Sequence, residues 1–192
     1  MEAPRIIQLP KFFDRRGNLS VIEEMVNVPF EISRCYWIYD VPGGEMRGGH
    51  AYRRNREMII ALSGSFDVAV DDGYERRSFR LSRSYYGLYV PAGTWREISD
   101  FSTNSVALIL ASEPYDTDDY IYTYKQFKSY VRHVSMIATF WNLTATTASA
   151  KATFRWWKTA VLCLLMSEGC FIYTMCRPAL HGAATPTEAH IR

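Results

Sequence analysis

Cysteine is scarce: Cys35, Cys163, Cys170 and Cys176 are the four in 192 residues, and no two of them make a Cys-x-x-Cys pair. That spacing excludes a disulfide-framed mini-domain and a thiolate zinc site, and it fits small buried hydrophobes in a reducing compartment. Charge of one sign is also lacking. With 22 Lys+Arg against 20 Asp+Glu the formal net charge is +2, which argues against a general nucleic-acid-binding surface. Long hydrophobic runs are missing as well. The apolar stretch from Thr159 to Met166 stops at Ser167-Glu168-Gly169 and resumes only weakly to Cys176, so each piece is too short for a bilayer span and membrane contact is not expected. No long apolar region follows Met1 to Arg5, so no signal peptide is expected and the location expected is cytoplasmic.

What is present is a large apolar and aromatic supply, 48% and 15% of the chain, enough for one domain with a sizeable core. Its periodicity is that of short strands. Ile6 to Pro10 and Leu19 to Glu23 are strand candidates, separated by a turn at Asp14 to Asn18. Ile32 to Tyr39 carries large side chains on both faces, which predicts that both are covered. Phe66, Val68 and Val70 alternate with polar residues up to Asp72-Gly73, a dipeptide that favours a type I′ hairpin turn. Tyr85 to Val90 and Trp95 to Ile98 follow, and Ser105 to Ser112 is apolar on both faces, as in a central buried strand. Tyr120, Tyr124 and Phe127 stand near helical spacing, predicting a terminal helix over Tyr120 to Tyr130. Many short strands with regular turns imply a sandwich or small barrel.

Composition changes near Arg132. From Val131 to Arg192 the acidic residues are Glu168 and Glu188 alone, and Thr144 to Thr153 is rich in Thr and Ala. The boundary is therefore placed after residue 131, with 132–192 an extension of unknown role, partly helical and poorly defined, ending in a disordered stretch from Ala183.

The richest segment runs from Gly44 to Gly64. Gly44, His50, Tyr52, Glu57 and Gly64 keep the spacing of the first cupin motif, with Tyr52 where a second histidine is expected. Pro91-Ala92-Gly93-Thr94-Trp95-Arg96 resembles the second cupin motif, with Arg96 in place of its histidine. His50 and Glu57 alone fall short of the three or four ligands a metal site needs, so no metal and no cofactor are expected. Segments in order along the chain narrow the resemblance: Phe13 to Leu19, Val28 to Arg34, Arg47 to Ala51, Val70 to Gly73, Trp95 to Glu97 and Tyr115 to Tyr120. Over roughly residues 5–130 the chain resembles the sugar 3,4-ketoisomerases of the FdtA/QdtA type, with a WxcM-like domain.

That resemblance implies an all-β cupin jelly-roll barrel with a short C-terminal helix, assembled as a homodimer. It implies a metal-independent isomerase that moves the carbonyl of dTDP-4-keto-6-deoxyglucose from C4 to C3, for deoxyamino sugars of surface polysaccharides. Such a step removes a proton alpha to a carbonyl, passes through an enediol(ate) and reprotonates the neighbouring carbon. Histidine suits the base and tyrosine or arginine suits the oxygen. His50 is accordingly the expected base. Tyr52, a poorer base at pH 7, is the expected proton donor. Arg16, Arg34 and Arg47 are candidates for the diphosphate, which favours forked donors. Tyr36, Trp37, Tyr89 and Trp95 are candidates for stacking on sugar or thymine, and Glu57 and Arg96 complete the expected binding set. Because Tyr52 replaces a histidine, the alternative is a catalytically silent cupin that binds a nucleotide sugar.

Overall fold

The computed structural model describes the backbone of residues 2–146. The Thr/Ala-rich stretch beyond Thr146, the apolar run and the terminal segment all lie outside the described residues. Two compact units divide the chain, Met1–Trp141 and Asn142–Arg192. Among the described residues no helix is long and apolar enough to cross a membrane.

Among the described residues twelve strands come in order: β1 Arg5–Gln8, β2 Lys11–Asp14, β3 Gly17–Ser20, β4 Arg34–Ile38, β5 Arg47–Tyr52, β6 Glu57–Ser63, β7 Phe66–Asp71, β8 Arg76–Leu81, β9 Tyr86–Val90, β10 Trp95–Ser99, β11 Val106–Ala111 and β12 Tyr120–Ile121. They form two antiparallel five-stranded sheets, β1-β9-β6-β11-β4 and β12-β5-β10-β7-β8, with β2-β3 a separate hairpin. This is the expected cupin jelly roll, an all-β domain closed by one C-terminal helix.

Strand alternation divides the apolar side chains into three clusters. Between the sheets lie Ile59, Val68, Leu88, Ile98 and Ile109. On the outer face of the first sheet, Met58, Ile60 and Tyr89 are covered by Leu9, Val28 and Phe30 from the N-terminal segment. On the outer face of the second, Ala51 and Trp95 are covered by Phe127 and Val131. These last two come from α1, Tyr124–Thr146.

Three sequence expectations are corrected. The helix begins at Tyr124, not Tyr120, and runs past Tyr130 to Thr146. Tyr120 and Ile121 instead pair with Tyr52 and Ala51, while Thr123 caps the helix, its hydroxyl accepting from the Gln126 amide at 3.2 Å. The β7–β8 turn is not a two-residue type I′ turn. Asp71 pairs with Arg76, leaving a four-residue loop held by the Asp72 carboxylate, which accepts from the Tyr74 and Glu75 amides at 3.0 and 2.9 Å. The outer face of β4 is not covered by the described residues: β4 is an edge strand, and Trp37 is 61% exposed there.

Candidate active site

A cavity of about 370 Å³ opens at one end of the space between the sheets, lined by side chains from β4, β5, β10 and β12. Its floor is set by the β5–β10 pairing. His50 sits opposite Arg96, but Glu97 pairs with Gly48, so Gly49 is the extra residue of a bulge. Gly48 and Gly49 both take the left-handed backbone, φ +90° and +69°. A side chain at Gly48 is excluded as well by contact: its Cβ would come within 2.6 Å of the Arg96 guanidinium. The glycine-rich entry to β5 thus re-aims the strand and leaves room for the buried arginine.

Arg96 and Glu57 form an ion pair on the cavity floor, 2% and 1% exposed. The pairing is forked: Arg96 Nε donates to Glu57 Oε2 at 2.7 Å and Nη2 donates to Oε1 at 3.2 Å. The Tyr36 hydroxyl also donates to Oε1, at 2.6 Å, and Arg96 Nη2 donates to the Tyr36 oxygen at 3.1 Å. Burial alone would raise the Glu57 carboxyl, but the charge and hydrogen bonds of Arg96 outweigh it and hold Glu57 below the usual carboxylate range. Both carboxylate oxygens are therefore committed, and Glu57 is ionised. Among the described residues no three His, Cys, Asp or Glu side chains are grouped as metal ligands would be.

His50 stands over this pair. Burial, and then the positive charge of Arg96, push its imidazole down to about 4, against the opposing effect of Glu57. The ring is neutral at pH 7. Its Nε2 is buried and has no hydrogen-bond partner among the described residues, which leaves a lone pair available to a bound molecule. Tyr52 lies on the same face of β5, its ring 4.9 Å from that of His50 and nearly perpendicular to it. Burial and the charge of Glu57 push its phenol far upward, so Tyr52 keeps its proton at pH 7. A neutral base and a protonated donor side by side can move a proton off carbon while protonating an oxygen.

Alternation decides which of the other predicted residues share this cavity. Arg34, Tyr36 and Arg47 line it with His50, Tyr52 and Arg96. The Arg34 guanidinium lies over the rings of Tyr36 and Tyr115 at 5.3 and 5.6 Å, and its Nε is buried without a partner among the described residues. Glu57 lies behind Arg96 and Tyr36 and is not among the lining residues, and four further predicted residues lie elsewhere. Trp37 follows Tyr36 on β4 and so faces outward. Trp95 precedes Arg96 on β10 and so packs on Phe127, its Nε1 donating to Glu97 at 2.9 Å. Tyr89 faces the outer layer with Phe30 and donates to Glu2. Arg16, at the tip of the β2–β3 hairpin, has a side chain 89% exposed and pairs with Asp14 at 2.9 Å.

Four lining residues were not anticipated as site residues, Ile38, Gly48, Tyr115 and Tyr120. Tyr120 is brought in because Asp119 anchors the chain beside β5. The buried Asp119 carboxylate accepts from the Arg54 and Asn55 amides at 2.8 and 3.0 Å, and Arg54 is paired with Asp116 at 2.7 Å. The run of aspartates before Tyr120 was the available signal, since acids there can tie a loop to backbone amides.

A family model described as FdtA: WxcM-like, C-terminal, matches residues 2–132. A TDP-4-oxo-6-deoxy-alpha-D-glucose-3,4-oxoisomerase of Aneurinibacillus thermoaerophilus is 40% identical over 132 residues, 69% of this chain and 95% of the relative. A 3,4-ketoisomerase structure from Helicobacter canadensis is 34% identical with a TM-score of 0.65, over 67% of this chain and 97% of that one. A variant of the sugar 3,4-ketoisomerase QdtA of Thermoanaerobacterium thermosaccharolyticum, solved in complex with TDP-4-keto-6-deoxyglucose, is 32% identical with a TM-score of 0.66. That match covers 68% of this chain and 94% of the other.

Proposed function

The chain belongs to the FdtA (WxcM-like, C-terminal) family, and from that premise we propose that it isomerises a dTDP-linked 4-keto-6-deoxyhexose, moving the carbonyl from C4 to C3 without a metal. The observation that carries this is the neutral His50, its Nε2 unpartnered among the described residues, beside a cavity that it lines with the protonated Tyr52. His50 Nε2 takes the proton from C3. The C3–H electrons form the C3=C4 double bond, and the carbonyl electrons move to O4, which Tyr52 protonates. Collapse of the enediol forms the C3 carbonyl as O3 returns a proton to Tyr52, and His50 returns its own to C4.

The metal-free route is supported by the floor of the cavity. The Glu57 carboxylate that a metal would need is saturated by Arg96 and Tyr36, and the guanidinium supplies the fixed positive charge. Arg34 and Arg47, at the wall of the cavity, suit the diphosphate as forked donors. The enzyme acts in the cytoplasm as a homodimer, and residues 132–192 are assigned no step.

The test is incubation of the full chain with dTDP-4-keto-6-deoxyglucose, followed by NMR for the 3-keto product. The wild type should convert it. His50→Asn should lower turnover by about 10²- to 10⁴-fold, the usual range for removing a general base, with dTDP affinity nearly unchanged. Unchanged substrate with dTDP still bound by the wild type would favour the silent binder. Persistent turnover in the variant would remove His50 from the role of base.

A further inference from the structure

We propose that Tyr120 is a positioning residue for the reaction: its hydroxyl and that of Tyr52 form a two-member relay serving the vicinal oxygens, while His50 serves the carbons. This rests on the isomerase reading above and adds a residue to it.

The two hydroxyls are 3.1 Å apart, the Tyr52 hydroxyl donating to Tyr120. They meet because β12 pairs residue for residue with the end of β5, Tyr120 opposite Tyr52. The rings of His50, Tyr52 and Tyr120 make one cluster, with centroids 4.6 to 5.0 Å apart. Asp119, immediately before Tyr120, is locked to the amides of the turn that follows β5. The hydroxyl pair is therefore held from both sides. On its outer side Tyr120 stacks on the exposed Tyr122, at 5.2 Å and 9°, and meets the exposed Tyr115 at 5.8 Å. Tyr120 is itself only half-buried, so water can reach the pair from its side.

Tyr52 alone is a poor proton source, because a phenolate there would sit in a buried site beside the ionised Glu57. A second hydroxyl removes that difficulty. As O4 takes the Tyr52 proton, Tyr52 takes one from Tyr120, and Tyr120 is replenished from water. When the enediol collapses, the O3 proton returns along the same path. His50 takes one proton from C3 and gives one to C4, so protons balance over the cycle and no oxidant or reductant is needed. Hydroxyls can reverse the direction of donation by rotation alone.

The test separates proton removal at carbon from net isomerisation. Wild type, Tyr120→Phe, Tyr52→Phe and the double variant, each as the full chain, are incubated with dTDP-4-keto-6-deoxyglucose in D2O. NMR follows two rates: deuterium entry at C3 of unreacted substrate, and formation of the 3-keto product. Tyr120→Phe should lower product formation about 10- to 100-fold, in the range of partial loss of acid–base assistance. Its deuterium entry should fall far less, so the ratio of exchange to product rises, and KM and dTDP affinity should stay near wild type. The double variant should be no slower than Tyr52→Phe alone, because the two hydroxyls act as one unit. Equal loss of both rates, or loss of dTDP affinity, would mark Tyr120 as merely structural and overturn the relay. Wild-type rates in Tyr120→Phe would overturn the relay and leave the isomerase standing. A wild type that converts nothing would overturn both.

Discussion

The two ends of the space between the sheets share only β6 and β10 among the strands that supply their residues, and they could hardly differ more. At one end Ile59, Val68, Leu88, Ile98 and Ile109 fill it with aliphatic side chains. At the other, Tyr36, His50, Tyr52 and Arg96 leave it partly open around a buried ion pair. β6 carries both kinds of residue on one inward face, Glu57 and then Ile59, two positions apart. A strand advances about 6 to 7 Å over two residues, so two steps along one strand separate dry packing from a polar pocket. The packed end supplies the rigidity that an unfilled, charged end cannot supply for itself. The charged end is tolerated because every carboxylate oxygen in it is hydrogen-bonded.

This contrast can be broken from either end. The largest stability effect is expected at the polar end. Glu57→Ala leaves the Arg96 guanidinium buried without its carboxylate and should cost about 3 to 5 kcal/mol in urea unfolding. A cost below about 1 kcal/mol would mean that the pair is not truly removed from water. At the packed end, Ile109→Ala should cost about 2 to 5 kcal/mol by loss of burial and creation of a cavity. It should change dTDP affinity little, because Ile109 packs among aliphatic side chains and meets the polar end only through its cross-strand partner Tyr36; a large loss of affinity would show that the two ends are coupled.

The smallest effect is expected from pH. The folded value for His50, about 4, lies below its ordinary 6.5, so folding favours the neutral ring. The stability that belongs to this shift is complete above pH 6.5 and is lost as pH falls through about 4. The base is likewise present down to that pH. Between pH 8 and 5, kcat/KM should change less than about two-fold, whereas a histidine titrating normally would lose about 30-fold by pH 5. An apparent pKa near 6.5 in that profile would contradict the burial of the ring.

Much of this was legible without coordinates. The alternation in Phe66 to Val70 and the apolar run at Ser105 to Ser112 imply a sandwich or small barrel, and the resemblance that rests in part on the spacing from Gly44 to Gly64 implies the jelly roll. Adjacent pairs were less tractable. Tyr36 and Trp37, and again Trp95 and Arg96, were all plausible binders, yet neighbours on a strand face opposite ways and only one of each pair can enter the cavity. The period of two excludes half of the set and does not say which half, because the outer faces of both sheets are also apolar. An aromatic residue at Trp95 or Tyr89 serves a covering helix or N-terminal segment as well as it would serve a ligand.

The local pattern of residues thus determined most of the strands and placed the imidazole on β5, since these depend on near neighbours along the chain. The tertiary structure alone decided which partners reach that imidazole. Arg96 meets Glu57 across 39 residues, and Tyr120 meets Tyr52 across 68. Such pairings follow from strand order, a bulge at Gly49 and an aspartate bound to a distant turn, and no periodicity within a window of sequence can encode a contact whose two halves lie in different windows.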